Sequence, residues 1–275
     1  MKKLMFAMAV IAAGAAMADV TSANVVGYQE LNTTDGGRKM VVPTFLNVGE
    51  SNKVSLADLK VTGYRLPEWD SKSKKYIYGC GGGQFLASPI NANGLAENNY
   101  YWIDNGTVGP GWFADDVGGA IEGGAGSVKF DAGKGLWTFG STFKLVPAGA
   151  VNPFDIVYKT CDGGRVVVGN CTPVDLPLSD LTVTGYKPPE WDSKSKKYIY
   201  GCGGGQFLAS LVNTSGLSTN DFYWIDNGNI TPGWYSDDVG TPIAGGANAV
   251  IIQAGQGLWT FGSTYKLVIP APELK

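Results

Sequence analysis

The sequence predicts an all-β protein in which two tandem β-sandwich or barrel-like domains follow a cleaved signal peptide. Glycine accounts for 40 of the 275 residues, and aromatic residues make up 12% of the chain. This composition is typical of short strands joined by tight turns. After the first residues, no long segment has the 3.6-residue apolar period of an amphipathic helix. A long internal repeat indicates that the strands form two similar units.

Residues 1–18 have the features of a secretory signal peptide. They contain a basic start, an apolar run too short to span a bilayer and an A-x-A cleavage site at Ala16-Met17-Ala18. We therefore expect an exported protein, located in the periplasm, on the cell surface or outside the cell. The mature chain is expected to contain no transmembrane segment. Loss of two lysines with the signal peptide changes the formal net charge from −3 to −5, which argues against a nucleic-acid partner.

Two copies of one sequence unit fill the rest of the chain. Residues 61–88 and 183–210 differ at only two positions, and the same offset of 122 residues aligns the later tryptophans. The unit is the size of a whole domain, far longer than a solenoid repeat or a propeller blade. We place the first domain at 24–150 and the second at 151–272, with a turn-rich junction at 146–150.

Differences between the copies indicate which side chains face the core. Positions 128 and 130 stay apolar in both copies, whereas positions 129 and 131 change freely. This alternation every two residues predicts a half-buried strand with Val128 and Phe130 facing inward. Tyr100 becomes phenylalanine in the second copy and shares a strand face with Trp102, so that face is expected to be core. A short helical turn is predicted at 55–59. The strands predicted in the first copy are 25–31 and 39–45, which flank an Asp-Gly-Gly turn, then 75–78, 84–87, 100–104, 127–131, 136–139 and 143–146.

Four cysteines make disulfide bonds plausible in an exported protein, but the sequence allows three pairings. The preferred pairs are Cys161 with Cys171, within one hairpin, and Cys80 with Cys202, between the domains. The alternative for Cys80 and Cys202 is that both are buried free thiols.

The residues needed for most catalytic mechanisms are missing. The chain contains no histidine, which excludes Ser-His-Asp and Cys-His catalysis and histidine zinc sites. Paired carboxylates remain as a catalytic option, because a glycosidase uses two of them across a sugar. Asp104, Asp115 and Asp116 surround a turn in the first copy, and the second copy repeats them. We predict that the protein is not an enzyme.

Aromatic residues beside aspartate and asparagine suggest a carbohydrate site, because sugars stack on rings and bond through their hydroxyls. Trp112 and Tyr101 are the aromatic residues expected to be exposed. Core packing is the alternative for any one aromatic residue, including Trp69, Tyr76 and Tyr78. The candidate ligand-binding residues are Tyr101, Asp104, Asn105, Trp112, Asp115 and Asp116, and in the second copy Tyr223, Asp226, Asn227, Trp234, Asp237 and Asp238.

The same loops are a candidate calcium site, since calcium binds several oxygen ligands. Asp104 and Asp116, or Asp226 and Asp238, would be its main ligands. The alternative is a plain turn in which the carboxylates accept local hydrogen bonds. No other cofactor is expected.

A basic turn, Lys72-Ser73-Lys74-Lys75, occurs in both copies. We interpret it as a solvated hairpin tip, with contact to anionic envelope polymers as the alternative.

Several short motifs resemble those of exported bacterial β-rich proteins of unknown function. The resemblance covers nearly the whole mature chain and implies an exported β-rich domain, without any assigned activity or functional residue. The motifs are Thr21-Ser22-Ala23-Asn24-Val25-Val26-Gly27-Tyr28, Ser55-Leu56-Ala57-Asp58-Leu59, Tyr101-Trp102, Gly111-Trp112 and Ala132-Gly133-Lys134-Gly135-Leu136-Trp137, with Ala254-Gly255-Gln256-Gly257-Leu258-Trp259 ending the second copy.

Three functions follow from these observations. The first is a non-enzymatic structural or adhesion protein of the envelope or extracellular space. The second is a bivalent carbohydrate-binding, lectin-like protein, in which two weak sites act together. The third is a carboxylate-dependent hydrolase. The expected partners are envelope polymers, glycans or copies of the protein itself.

Overall fold

The structure, a computed structural model, describes residues 26–28, 30–32, 37–45, 53–81, 85–90, 96–140, 143–151, 154–159, 165–203, 207–212, 218–262 and 265–272. Strands and short turns dominate these residues, so the prediction of an all-β protein is confirmed. In these ranges the chain forms no helix longer than a 3₁₀ turn and none that is long and apolar enough to cross a membrane. The predicted signal peptide lies outside the described residues.

The first copy contributes thirteen strands and the second contributes twelve among the described residues. In the first copy they are β1 (Val26–Tyr28), β2 (Leu31–Asn32), β3 (Gly37–Val41), β4 (Lys53–Ser55), β5 (Leu59–Thr62), β6 (Glu68–Asp70), β7 (Lys75–Ile77), β8 (Phe85–Pro89), β9 (Tyr100–Ile103), β10 (Gly111–Phe113), β11 (Lys129–Asp131), β12 (Leu136–Gly140) and β13 (Lys144–Ala150). In the second they are β14 (Ile156–Lys159), β15 (Arg165–Gly169), β16 (Leu176–Pro177), β17 (Thr182–Thr184), β18 (Glu190–Asp192), β19 (Lys197–Ile199), β20 (Phe207–Val212), β21 (Ser218–Ile225), β22 (Gly233–Tyr235), β23 (Ile251–Ile252), β24 (Gly257–Gly262) and β25 (Lys266–Ile269).

Short 3₁₀ turns occur at equivalent places in the two copies. The predicted helical turn near Ser55 is confirmed, because the Ser55 hydroxyl oxygen caps it by accepting a hydrogen bond from the backbone of Ala57. Among the described residues these turns are Leu56–Asp58, Ala125–Ser127, Leu178–Asp180 and Ala247–Ala249.

Among the described residues, each copy builds two larger antiparallel sheets that share a core. It also forms two two-stranded sheets, β4 with β11 and β6 with β7 in the first copy, and β16 with β23 and β18 with β19 in the second. In the second copy one sheet has the order β14-β25-β17 and the other has the order β15-β24-β20-β21-β22. The first copy repeats this plan, with β13 between β1, β2 and β5, and with β10-β9-β8-β12 flanked by β3. Both sheets bury side chains in a shared core, as in other two-sheet proteins. Leu267 and Val183 come from one sheet, and Phe222 and Leu258 from the other.

The period-two pattern correctly predicted the inward side chains of β11. Phe130 is buried, Val128 packs against the core beside it, and Lys129 and Asp131 are exposed. The face of β9 that carries Tyr100 and Trp102 is also confirmed to face the core, since Trp102 is buried and Tyr100 packs against the same cluster.

Two connections differ from the prediction. The strands on the two sides of each Asp-Gly-Gly turn lie in different sheets. In the first copy β1 and β2 join β13 whereas β3 lies beside β12, and in the second β14 joins β25 whereas β15 joins β24. This segment therefore links two sheets instead of closing a hairpin. The stretch 146–150, expected to be a turn-rich junction, continues β13, and its last residues pair with β1.

The expected disulfide between Cys80 and Cys202 is wrong. Each thiol is free and fully buried in the core of its own copy, Cys80 against the Trp102 carbonyl and Cys202 against the Trp224 carbonyl. Cys171 is also a free, buried thiol and lies 3.5 Å from the Tyr158 hydroxyl. Its expected partner, Cys161, lies outside the described residues.

The two copies pack against each other around a small apolar cluster. Trp137 and Trp259 occupy equivalent positions in the repeat, and both are buried in this cluster. Met40 and Ile90 join them from the first copy, and Val167 joins from the second. The tryptophan that ends each copy is therefore a contact between copies.

Glycine-rich turns complete this contact from both sides. A Cβ atom at Gly133, where φ is +74°, would lie only 1.5 Å from the hydroxyl oxygen of Tyr158 in the other copy. A Cβ atom at Gly257 would lie 2.6 Å from the sulfur of Met40. In addition, the Val42 amide donates a hydrogen bond of 3.1 Å to the Gly255 carbonyl. Each copy thus inserts its A-G-x-G turn against the other, which explains why glycine is required there.

Candidate functional site

The tryptophans expected to be exposed at the candidate site are buried. Trp112 and Trp234 are each only 6% exposed. Each meets the tryptophan opposite it on the neighbouring strand edge to face, with ring centroids 5.5 Å apart. The Trp112 indole also donates a hydrogen bond to the Leu59 carbonyl, and the Trp234 indole donates one of 2.7 Å to the Leu181 carbonyl. The predicted exposure of both is wrong, and neither ring is open to a sugar.

Asp104 and Asn105 bind neighbouring groups of their own chain. The Tyr64 hydroxyl donates a 2.7 Å hydrogen bond to the buried Asp104 carboxylate, and it accepts one from the Trp102 indole. The Asn105 side-chain oxygen accepts hydrogen bonds from two backbone amides of its own turn. The second copy repeats these bonds at Asp226 and Asn227. The turn alternative therefore describes these residues better than a ligand site does.

Three of the predicted residues do meet at one surface. Tyr101, Asp115 and Asp116 line an open depression of about 610 Å³ together with Ala96, Glu97, Asn98, Asn99, Tyr100 and Ala114. The Asp115 carboxylate, however, accepts hydrogen bonds from the backbone of Val117 and Gly119, so it also supports its own turn.

The second copy keeps an acidic surface at the equivalent place. Burial raises the pKa of Tyr223, and the nearby carboxylates of Asp221, Asp238 and Asp237 raise it further. The Thr241 side chain and backbone hold the pKa of Asp237 below its usual value. A general acid in glycoside hydrolysis needs a raised pKa. The lowered pKa of Asp237 therefore disfavours that role.

The calcium prediction gains no support from the geometry. Within the described ranges, no group of three or more aspartate, glutamate or cysteine side chains lies close enough together to hold an ion. Asp104 lies with Tyr64, whereas Asp116 lines the depression.

The exposed aromatic residues lie instead on a hairpin of each copy. We define the first aromatic hairpin as residues 65–78, which contain β6 and β7, and the second as residues 187–200, which contain β18 and β19. In each one, three-residue strands pair around a tight turn. The Asp70 carboxylate stabilises the first turn by accepting hydrogen bonds from the backbone of Lys72 and Ser73.

The rings of the first aromatic hairpin are open to solvent. Trp69 is 58% exposed, and Tyr76 and Tyr78 are also exposed. Trp69 and Tyr76 are opposite each other on the paired strands and meet edge to face, with centroids 5.2 Å apart. The core alternative for Trp69, Tyr76 and Tyr78 is therefore wrong, and the sequence did not identify this site.

Contacts with the rest of the copy fix the hairpin in place. The Tyr76 ring covers Gly106, where a Cβ atom would lie 2.3 Å from ring carbons. Only glycine, here with φ of +83°, allows the ring to lie so close to the turn that follows Asp104. The Gly79 amide donates a 2.8 Å hydrogen bond to the Arg65 carbonyl and closes the base of the hairpin.

Tyr78 is held in an unusual conformation. Its φ is +64°, in the left-handed region that a bulky residue rarely adopts. Holding a residue in this backbone conformation destabilises the fold by on the order of 1–3 kcal/mol. The Arg65 guanidinium lies 3.4 Å above the centroid of its ring. Backbone strain of this kind clusters at functional sites, and the guanidinium restricts the exposed ring through a cation–π contact.

The second aromatic hairpin reproduces this arrangement. Trp191, Tyr198 and Tyr200 are exposed to similar degrees, and Tyr200 also has a positive φ, of +65°. Arg65 is one of the two residues that differ between the repeated segments, and Lys187 replaces it. The Lys187 ammonium nonetheless lies 3.5 Å above the Tyr200 ring. Both copies therefore present the same aromatic surface with a cation on one face.

A signal for this site was present in the sequence. Trp69 and Tyr76 lie within a segment that also contains Glu68, Asp70 and three lysines. Strands so short, with charges on both sides, cannot enter a core without burying those charges. The basic turn lies at the tip of the hairpin, where residues 71–74 are all exposed to solvent.

The buried thiols give a testable pH dependence. Burial raises the pKa of Cys80 and of Cys202 from 9.0 to about 12, and the neighbouring aspartates add to the shift. Because the unfolded chain releases these protons first, we expect the free energy of unfolding to fall as the pH rises from 9 towards 12. Denaturant unfolding at a series of pH values measures this. Serine at both positions should reduce the fall, and an unchanged slope in that variant would contradict the assignment to the thiols.

The comparisons with known proteins do not assign this chain to a family. No protein-family model matches it, and no curated protein or solved structure shows significant similarity to it.

Proposed function

We propose that this is an exported, non-enzymatic adhesion protein that binds glycans at two equivalent sites, the two aromatic hairpins. The observation that carries the proposal is the paired exposure of Trp69 with Tyr76 and Tyr78, and of the matching residues in the second copy. Rings left in water at a fixed place are the usual platforms for sugar stacking.

Rigidity of the hairpins supports binding. The edge-to-face pair, the Tyr76 contact with Gly106 and the cation on Tyr78 all restrict the exposed rings. A ligand that binds rings already held in place loses less conformational entropy on binding. Because the same chain carries two such hairpins, weak sites can act together on a polymer and give a higher apparent affinity than either alone.

The proposal predicts loss of binding when the exposed tryptophans are removed. For the double variant Trp69→Ala with Trp191→Ala we expect affinity to fall about 30-fold or more, as for other anchoring aromatic residues. The measurement is affinity electrophoresis of the mature protein in native gels that contain neutral or acidic polysaccharides.

A matched control comes from another loop of each copy. Val117 and Val239 are 79% and 81% exposed, so Val117→Ala with Val239→Ala also removes two exposed apolar side chains. This control should bind as the wild type does. The proposal would be wrong if no polysaccharide retards the protein, or if the tryptophan variant and the control are retarded equally.

A further inference from the structure

The charge of the aromatic hairpins differs in sign from that of the rest of the protein. The first hairpin carries Arg65, Lys72, Lys74 and Lys75 against two acidic residues, so its formal charge is +2, and the second hairpin has the same balance. The two together carry +4. Since the whole chain carries −3, the remainder carries −7. Positive charge is therefore concentrated at the exposed rings.

The lysines at the hairpin tips are available to a ligand. Lys72, Lys74 and Lys75 are all exposed, and the ion pairs found among the described residues do not engage them. The nearby Asp70 carboxylate accepts hydrogen bonds from the turn, and these bonds, led by the one with Ser73, lower its pKa. It therefore remains in the turn instead of pairing with a lysine.

The cation beside Tyr78 is held differently from the tip lysines. Arg65 lies over the ring and also pairs with Glu68 at 3.3 Å. Its role is to fix the ring, and its charge is partly neutralised. The free positive charge is at the tip, next to Trp69 and Tyr76, so a ligand that contacts both features needs sugar rings and negative charge in one molecule.

We infer that the partner of the aromatic hairpins is an acidic polysaccharide, whose rings stack on Trp69 and Trp191 while its carboxylate or sulfate groups lie near the tip lysines. This inference rests on the proposed function and names its ligand class. An acidic polymer would be drawn to the hairpins and repelled by the rest of the acidic surface, which fixes how the protein is oriented on it.

The test uses polygalacturonate, its methyl ester and polyacrylate as probes of the mature wild-type protein. Polygalacturonate offers sugar rings with charge, its methyl ester offers the same rings without charge, and polyacrylate offers charge without rings. Polygalacturonate should bind, the ester about tenfold or more weakly, and polyacrylate more weakly still. Binding should also weaken as salt is raised.

Two charge variants complete the test. Lys72→Gln, Lys74→Gln and Lys75→Gln together should weaken polygalacturonate binding. The control variant, with Lys60→Gln, Lys129→Gln and Lys159→Gln, has the same net charge and should not.

Three results would overturn the inference. If the ester binds as well as the acid, charge is not recognised, and the proposed glycan function stands without it. If polyacrylate or single-stranded DNA binds as well as polygalacturonate, the protein binds polyanions in general. If neither polygalacturonate nor its ester binds, this inference fails, while binding of another neutral polysaccharide through Trp69 and Trp191 would still support the proposed function.

Discussion

Replacing Trp112 by alanine is expected to lower the free energy of unfolding by about 3–5 kcal/mol. The indole fills space in the core, pairs with Trp102 and donates a hydrogen bond to the Leu59 carbonyl, so the variant leaves both a cavity and an unpaired carbonyl. Denaturant unfolding measures the loss. Trp234→Ala should have the same effect, because the second copy repeats these contacts.

Trp69→Ala is the control for this prediction. Its exposed ring takes part in one edge-to-face pair, which contributes about 0.5–1.5 kcal/mol. If Trp112→Ala lowers the free energy of unfolding no more than Trp69→Ala does, the Trp112 ring is not packed in the core. The comparison also matters for function, because loss of ligand binding by Trp112→Ala would report unfolding and not a missing contact.

Replacing Trp259 by alanine is expected to destabilise both copies, again by about 3–5 kcal/mol. The ring belongs to the cluster between the copies, where it shares a buried space with Trp137 and Met40. The buried thiols allow each copy to be followed separately, since Cys80 lies in the first core and Cys202 in the second. In mild denaturant, both thiols should react faster with a labelling reagent, measured for each cysteine by mass spectrometry. Faster labelling of Cys202 alone would show that the copies unfold independently.

Local patterns in the sequence predicted most strands of the first copy, but they missed the short strands β4, β5, β6 and β10. The alternation around Phe130 and the turns rich in glycine and aspartate determine which residues form strands and which face is apolar. The pairing of the strands around the Asp-Gly-Gly turn could not be derived in this way. It depends on contacts with β24 and β25, which lie about a hundred residues further along the chain.

The candidate site was only partly predictable for the same reason. Trp112 lies between Pro110-Gly111 and two aspartates, a setting typical of an exposed loop. Its burial follows from Trp102 on the neighbouring strand and from the distant Leu59 carbonyl. The aromatic hairpins were predictable in principle, because charges surround their rings, but the abundance of aromatic residues favoured a core interpretation.

The repeat itself acquires a physical role in the structure. The A-G-x-G turns and the tryptophans that follow them form the contact between copies, so the two copies hold each other in place. If the aromatic hairpins bind glycans as proposed, the two hairpins on one chain would present a pair of linked sites. Such a pair strengthens binding to a repeating polymer far more than binding to a short fragment.

The most direct test of the account counts the sites by calorimetric titration of the mature protein with short galacturonate oligomers. We predict two equivalent sites in the wild type and no site in the double variant. Each single variant, Trp69→Ala or Trp191→Ala, should keep one site with unchanged affinity. A single site in the wild type, or a stoichiometry that neither substitution changes, would contradict the claim that the two aromatic hairpins are the binding sites.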